Sequence, residues 1–180
     1  MSLDQLIEGC KHNDGQAQNQ LYKLYASKLF SVCLKYSRNY VEAEDNLQDA
    51  YLTIFKKIGQ FKSQGSLEGW MKRIAINTAL QRYRSVGVFD IINEDQIEDV
   101  TVEVDDDDMS IDYLLNIIQE LPDRYRLVFN LYALDDYSHK EIAAMLTIST
   151  GTSKSNLARA RMILKEKIKH YKASLNSQSI

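Results

Sequence analysis

Ser138 to Arg161 reads SHKEIAAMLTISTGTSKSNLARAR, and the spacing within it decides how this part of the chain folds. Ser138 and Glu141 form an S-x-x-E pair. The hydroxyl accepts from the backbone N–H three residues on and the carboxylate reaches back, which is the signature of a helix start. Ile142, Met145 and Leu146 then give a short helix one apolar face. Thr147, Ile148 and Ser149 leave room only for a tight turn. A second helix follows, with Leu157, Ala160, Leu164 and Ile168 recurring at helical spacing and facing inward. Its other face carries Thr152, Ser155, Asn156 and Arg159, flanked by Lys154, Arg161 and Lys165. A short helix, a tight turn and a basic second helix suit the major groove of duplex DNA. That groove admits one helix, and its phosphate rims reward Lys and Arg. Two positions depart from the generic motif: Thr147 stands where a turn glycine is usual, and Ser153 where an aliphatic core residue is usual. The Ser153 hydroxyl is expected to return to the carbonyl one turn back.

Outward from this stretch, composition narrows the class. A chain of 180 residues suits one large domain or two small ones, and seven glycines with a single proline argue for long helices. No apolar run approaches the ~18 residues of a membrane span, and the start MSLDQLIEG lacks a signal-peptide pattern, so a cytoplasmic protein without membrane insertion is expected. Cys10 and Cys33 lie in helical patterns without metal-ligand spacing and read as buried reduced thiols. The three histidines (His12, His139, His170) are scattered and no phosphate loop is present, so no catalytic site, metal or cofactor is expected.

The net charge of −3 hides a strong asymmetry. Residues 90–112 hold 11 acids and no Lys or Arg, which leaves 22 basic against 14 acidic residues elsewhere. Self-repelling Asp105 to Asp108 offer nothing to bury, so residues 88–109 read as a flexible acidic linker. It separates a first domain, 1–87, from a second, 110–180. Before the linker four helices are read: a short one capped by Ser2, then about 15–37, 41–58 and 67–84. The third has an apolar stripe at Leu47, Ala50, Tyr51, Ile54, Phe55 and Ile58, and the fourth an inner face of Leu67, Trp70, Met71, Ile74 and Ala75. After the linker, Ile111, Leu114, Leu115 and Ile118 mark another helix, and Pro122 suits the first turn of the next. The fold class expected is all-α: two small helical domains joined by a flexible linker, the second containing a helix-turn-helix.

Two further surfaces stand out. Asp45, Gln48 and Asp49 form an acidic face opposite the stripe of the third helix, by itself an ordinary solvated surface. On the fourth, Arg73, Asn77, Gln81 and Arg84 line a ridge beside the loop FKSQGS, a mixture that suits phosphate and base-edge contacts.

The order of these parts carries more than any one of them. AEDNLQDAYLTIF, then F-x5-L-x2-WMKRIAINTALQRYR, an acidic linker, LPDRYRLVF and a helix-turn-helix ending SKSNLARAR resembles the bacterial RNA polymerase sigma factors of the sigma-70 family, in their compact extracytoplasmic-function (ECF) group. The resemblance runs over roughly 3–85 and 109–172. It implies a promoter-recognition factor that binds core RNA polymerase and promoter DNA, and leaves open an anti-sigma factor as a further partner. Asp45, Gln48 and Asp49 would contact the polymerase. Lys62, Ser66, Arg73, Asn77, Arg82 and Arg84 would read the −10 element, the loop 61–66 taking a flipped base. Thr152, Lys154, Ser155, Asn156, Arg159 and Arg161 would read the −35 element. Trp70, on the apolar stripe, reads as core and not as a stacking platform. The alternative from the residues alone is a dimeric helix-turn-helix regulator whose first domain senses a ligand or dimerises.

Overall fold

The computed structural model describes residues 1–62, 64–89 and 109–178, and every regular element in them is helical. The chain divides into two compact units, Met1–Ser85 and Val86–Ile180. Of the acidic linker expected over 88–109, residues 90–108 lie outside the described residues.

The first unit is built from α1 (Leu3–Lys11), α2 (Gly15–Tyr36), α3 (Tyr40–Lys57) and α4 (Leu67–Ser85), with a 3-10 turn, Ile58–Gln60, after α3. Each start has a local cause. Ser2 and Gln5 make a capping box on α1, the Asp14 carboxylate accepts from the N–H groups of Gln16 and Ala17, and Asn39 accepts from Glu42. Helices α2, α3 and α4 pack against one another and α1 lies on α2. Gly9 permits that last contact, since a Cβ there would stand 2.6 Å from the Ala17 Cβ. Leu21, Leu29, Tyr36, Ile54, Met71, Leu80 and Tyr83 are fully buried, each of the aliphatic ones contributing roughly 1.5–3 kcal/mol by leaving water. Cys10 and Cys33 are buried free thiols, as read from the sequence, and burial pushes Cys33 up to about 12. A polar chain crosses this core: Asn46 Nδ2 donates to Ser37 Oγ at 2.7 Å, and Ser37 Oγ donates to the Cys33 carbonyl at 2.7 Å.

The core face of α4 is Leu67, Met71, Ala75, Ile76, Ala79, Leu80 and Tyr83. Ile74 is only half buried, and Trp70, expected in the core, is also half buried, its ring 5.5 Å from that of Phe61 at the edge of the 61–66 loop. The departure follows from register: at 100° per residue, position 70 falls off the stripe set by 67, 71, 75 and 79.

The second unit comprises α5 (Ile111–Gln119), α6 (Asp123–Phe129), α7 (His139–Leu146) and the 29-residue α8 (Thr150–Gln178). Pro122 sits one position before the expected first turn, at the cap of α6. Helix α6 runs into a π-helical turn, Asn130–Leu134, which no sequence pattern announces. Helices α5, α6 and α7 all pack on α8. One cluster joins Ile117 and Leu121 to Ala160, Leu164 and Ile168. Tyr113 stacks on Tyr171 at 4.0 Å and donates its hydroxyl to the Lys167 carbonyl, closing α5 onto the far part of α8. Of the positions that mark α5, Ile111 and Leu115 are exposed, and the buried residue of the helix is Ile117.

Candidate nucleic-acid interfaces

Asp45, Gln48 and Asp49 are all exposed on the outer face of α3, because the opposite stripe (Ala43, Leu47, Ala50, Ile54) is drawn into the core. The same ridge carries two apolar side chains that sequence reasoning did not single out, Val41 at 66% exposure and Leu52 at 70%. Their signal was available: 41, 45, 48, 49 and 52 share one helical face. An acidic ridge bracketed by exposed apolar groups has the make-up of a protein contact surface more than of a solvated one.

Asp49 also does something spacing does not reveal. Its Oδ2 lies 3.1 Å from the guanidinium of Arg82 on α4. The acidic ridge and the basic face of α4 therefore meet at an ion pair. Beside it, α3 and α4 enclose an open groove of about 710 Å³, lined among others by Lys57, Asn77, Gln81 and Arg84. Arg84 donates to the Asn77 carbonyl at 3.4 Å, which lays its side chain back along α4. Arg73 and Lys62 are exposed, and the Ser66 hydroxyl accepts from the Gly69 N–H at 3.0 Å, capping the first turn of α4. Ser66 is thus committed to holding the loop's exit, where Gly65 supplies a φ of +103° that other residues rarely adopt. Glu68 draws Lys28 to 2.6 Å and Lys72 to 2.8 Å. Hydrogen bonds from Lys28 and then Lys72 hold its carboxyl down to about 2 and occupy Lys72, the neighbour of Arg73.

In the second unit the capping box is formed as read. Glu141 N–H donates to Ser138 Oγ at 3.3 Å and Ser138 N–H to Glu141 Oε2 at 2.9 Å. Helix α7 ends at Thr147 in the left-handed region, φ 58° and ψ 46°. The Ser149 hydroxyl accepts from Thr152 N–H at 2.9 Å and starts α8, with the Thr152 hydroxyl alongside at 2.9 Å. Lys154 is exposed, and Ser155 and Arg159 are half exposed on the outer face, joined by Met162 at 41%. Arg161 is half buried with its guanidinium 5.8 Å from the Tyr132 ring.

Asn156 is a correction. Expected on the reading face, it is buried, 4% exposed, on the stripe of Ser153, Leu157, Ala160 and Leu164. As a polar residue type asparagine points outward, while its spacing from 153 and 160 places it inward. Ser153 is a second correction. Its buried hydroxyl makes its side-chain contact with His139 Nδ1, at 2.9 Å, where the carbonyl one turn back was expected.

Among the described residues no group of three or more His, Cys, Asp or Glu is placed to hold a metal, and no helix is long and apolar enough to cross a membrane.

Comparison with known proteins matches both units. Residues 21–87 match the family model "Sigma-70 region 2" and residues 111–164 match "Sigma-70, region 4". The ECF RNA polymerase sigma factor SigW of Bacillus subtilis is 29% identical over 184 residues, spanning 94% of this chain and 98% of that protein. The ECF RNA polymerase sigma-E factor of Haemophilus influenzae is 28% identical, covering 91% of this chain and 93% of its own. Among solved structures, the sigma factor RpoE of Bartonella quintana, in complex with the anti-sigma factor NepR, superposes with a TM-score of 0.54 at 25% identity, over 84% of this chain and 96% of that one.

Proposed function

The chain belongs to the sigma-70 family, in its ECF group, and we propose that its two helical units divide the work of promoter recognition between them. It is a promoter-recognition factor for transcription initiation. In this reading the ridge of Asp45, Gln48 and Asp49, extended by Val41 and Leu52, docks on core RNA polymerase, and the polymerase supplies the chemistry at its site in the cytoplasm. Lys62, Arg73, Asn77, Arg82 and Arg84 hold the −10 strand along α4 and its groove. Bases are read on their Watson–Crick edges only once unstacked, so the 61–66 loop and the half-exposed rings of Phe61 and Trp70 take the flipped base. Lys154, Ser155 and Arg159 enter the major groove at −35, with Met162 offering an apolar contact to a thymine methyl. Thr152 and Ser66 act by shaping the helix starts that present these groups. An anti-sigma protein, like the NepR bound to the Bartonella relative, is a further partner in this proposal.

The observation that carries the reading is the presence, in one chain, of two unlike exposed polar faces on separate units. Neither binds strongly alone; joined in one chain and spaced by the polymerase, each raises the effective concentration of the other. The test is to combine the protein with core polymerase and a promoter library. Promoter-dependent transcription from a shared two-element consensus is expected. Symmetric operator binding by the protein alone, without such transcription, overturns it in favour of a dimeric regulator.

A further inference from the structure

We propose that His139 and Ser153 form a polar latch that sets the angle of α8 on α7, which makes His139 a positioning residue for −35 recognition. The inference rests on the reading of α8 as the −35 helix. Ser153 is fully buried in the first turn of α8, and its Oγ lies 2.9 Å from His139 Nδ1 at the first position of α7. An aliphatic residue there would join the two helices by packing alone, which lacks the directionality of a hydrogen bond. A hydrogen bond weakens steeply away from linearity, and a buried hydroxyl is costly to leave unpaired, so this contact admits a narrow range of angles.

The latch has a second point of attachment. The His139 ring stacks on Tyr132 of the π-helical turn, with centroids 4.6 Å apart and planes at 20°. Arg161, two turns further along α8, places its guanidinium 5.8 Å from the same tyrosine ring. Helix α8 is thereby held at 153 and 161, about 12 Å apart along its axis. One contact fixes a point; two fix a direction. Lys154, Ser155 and Arg159 all lie between the anchors. A tilt of about 5° moves a side-chain tip ~12 Å away by about 1 Å, which is the scale on which a hydrogen bond to a base edge is made or lost. Arg161 in this arrangement serves the framework and not the bases.

The test uses the full chain reconstituted with core polymerase on promoters randomised over the −35 element. Ser153→Ala and His139→Ala are expected to change the order of preferred bases, by about threefold or more at one position at least, while circular dichroism shows both variants folded. His139→Asn sets an amide where Nδ1 lies and is expected to restore the parental order. The proposal is overturned if Ser153→Ala keeps the parental order, whether output is unchanged or uniformly lower, or if Asn at 139 serves no better than Ala. Absence of any promoter-dependent transcription by the unaltered protein defeats the −35 reading itself, which separates the two failures.

Discussion

Replacing Thr147 by glycine should stabilise the second unit without changing what it reads. Thr147 closes α7 with φ 58° and ψ 46°, its N–H donating to the Ala143 carbonyl, and the Ile148 N–H donates to the same carbonyl at 3.0 Å. An L-residue in this region brings Cβ against the backbone at a cost of roughly 1–2 kcal/mol, and a β-branched residue is among the least suited to it. The side chain is exposed, so its removal gives up little buried surface. Glycine removes the steric cost but carries about 0.5–1 kcal/mol of extra unfolded-state freedom, so near the middle of both ranges the net gain is about 0.5–1 kcal/mol. At about 4–8 °C per kcal/mol for a domain of this size, Thr147→Gly should raise the melting temperature of the unit by roughly 2–8 °C, and Thr147→Asn by less. Thermal melts of the full chain by circular dichroism, with urea melts as a check, measure this directly. A glycine variant that melts at or below the parent would refute the reasoning. It would show that the Thr147 side chain contributes as much to the turn as its left-handed backbone costs.

Further outcomes are expected at other positions. The triple change Asp45→Ala, Gln48→Ala, Asp49→Ala should abolish co-purification with core polymerase while helical content is kept, since exposed changes typically cost within about 0.5 kcal/mol; Leu52→Ser alone should weaken it about fivefold or more. In promoter selections, Lys154→Ala and Arg159→Ala should each cost about 1–3 kcal/mol at one base pair, while Lys165→Ala weakens all sequences evenly. Asn156→Ala, by contrast, should lower the melting temperature and leave base preference unchanged, and a changed preference would return Asn156 to the reading face. Glu68 is held at about 2 against an ordinary 4.5, so its contribution is present above pH 4.5 and is lost as pH falls through its folded value. Glu68→Gln should therefore show a flatter melting profile than the parent between pH 5 and 2, and parallel profiles would count against the Lys28–Glu68–Lys72 triad.

What was legible in the sequence, and what was not, follows the range of the forces involved. Helices α2, α3 and α4 were placed to within a residue or two because burial of one face at a 3.6-residue period is a local signal. The capping box at Ser138 was legible for the same reason, as its two partners lie three residues apart. The outer face of α8 was read less well. Polar type pulled Asn156 outward, although its register with Ser153 and Ala160 already argued for burial. Thr147 and Ser153 were visible only as departures from a pattern, since a departure does not say what replaces the missing contact. The replacement for Ser153 is His139, 14 residues away, and the partner of Asp49 is Arg82, 33 residues away. No helical period connects either pair; only the packed structure does. Under the proposed assignment of the two surfaces, the Asp49 pair has a functional consequence that the separate surfaces do not. If polymerase docking draws on Asp49, it competes with Arg82 for that carboxylate, and the −10 face then meets DNA with one more unpaired cation. Binding free energies are reciprocal, so a −10 strand that recruits Arg82 must favour docking to the same degree. An exposed ion pair limits that coupling to about 1 kcal/mol or less, a bias on the order of events and not a switch.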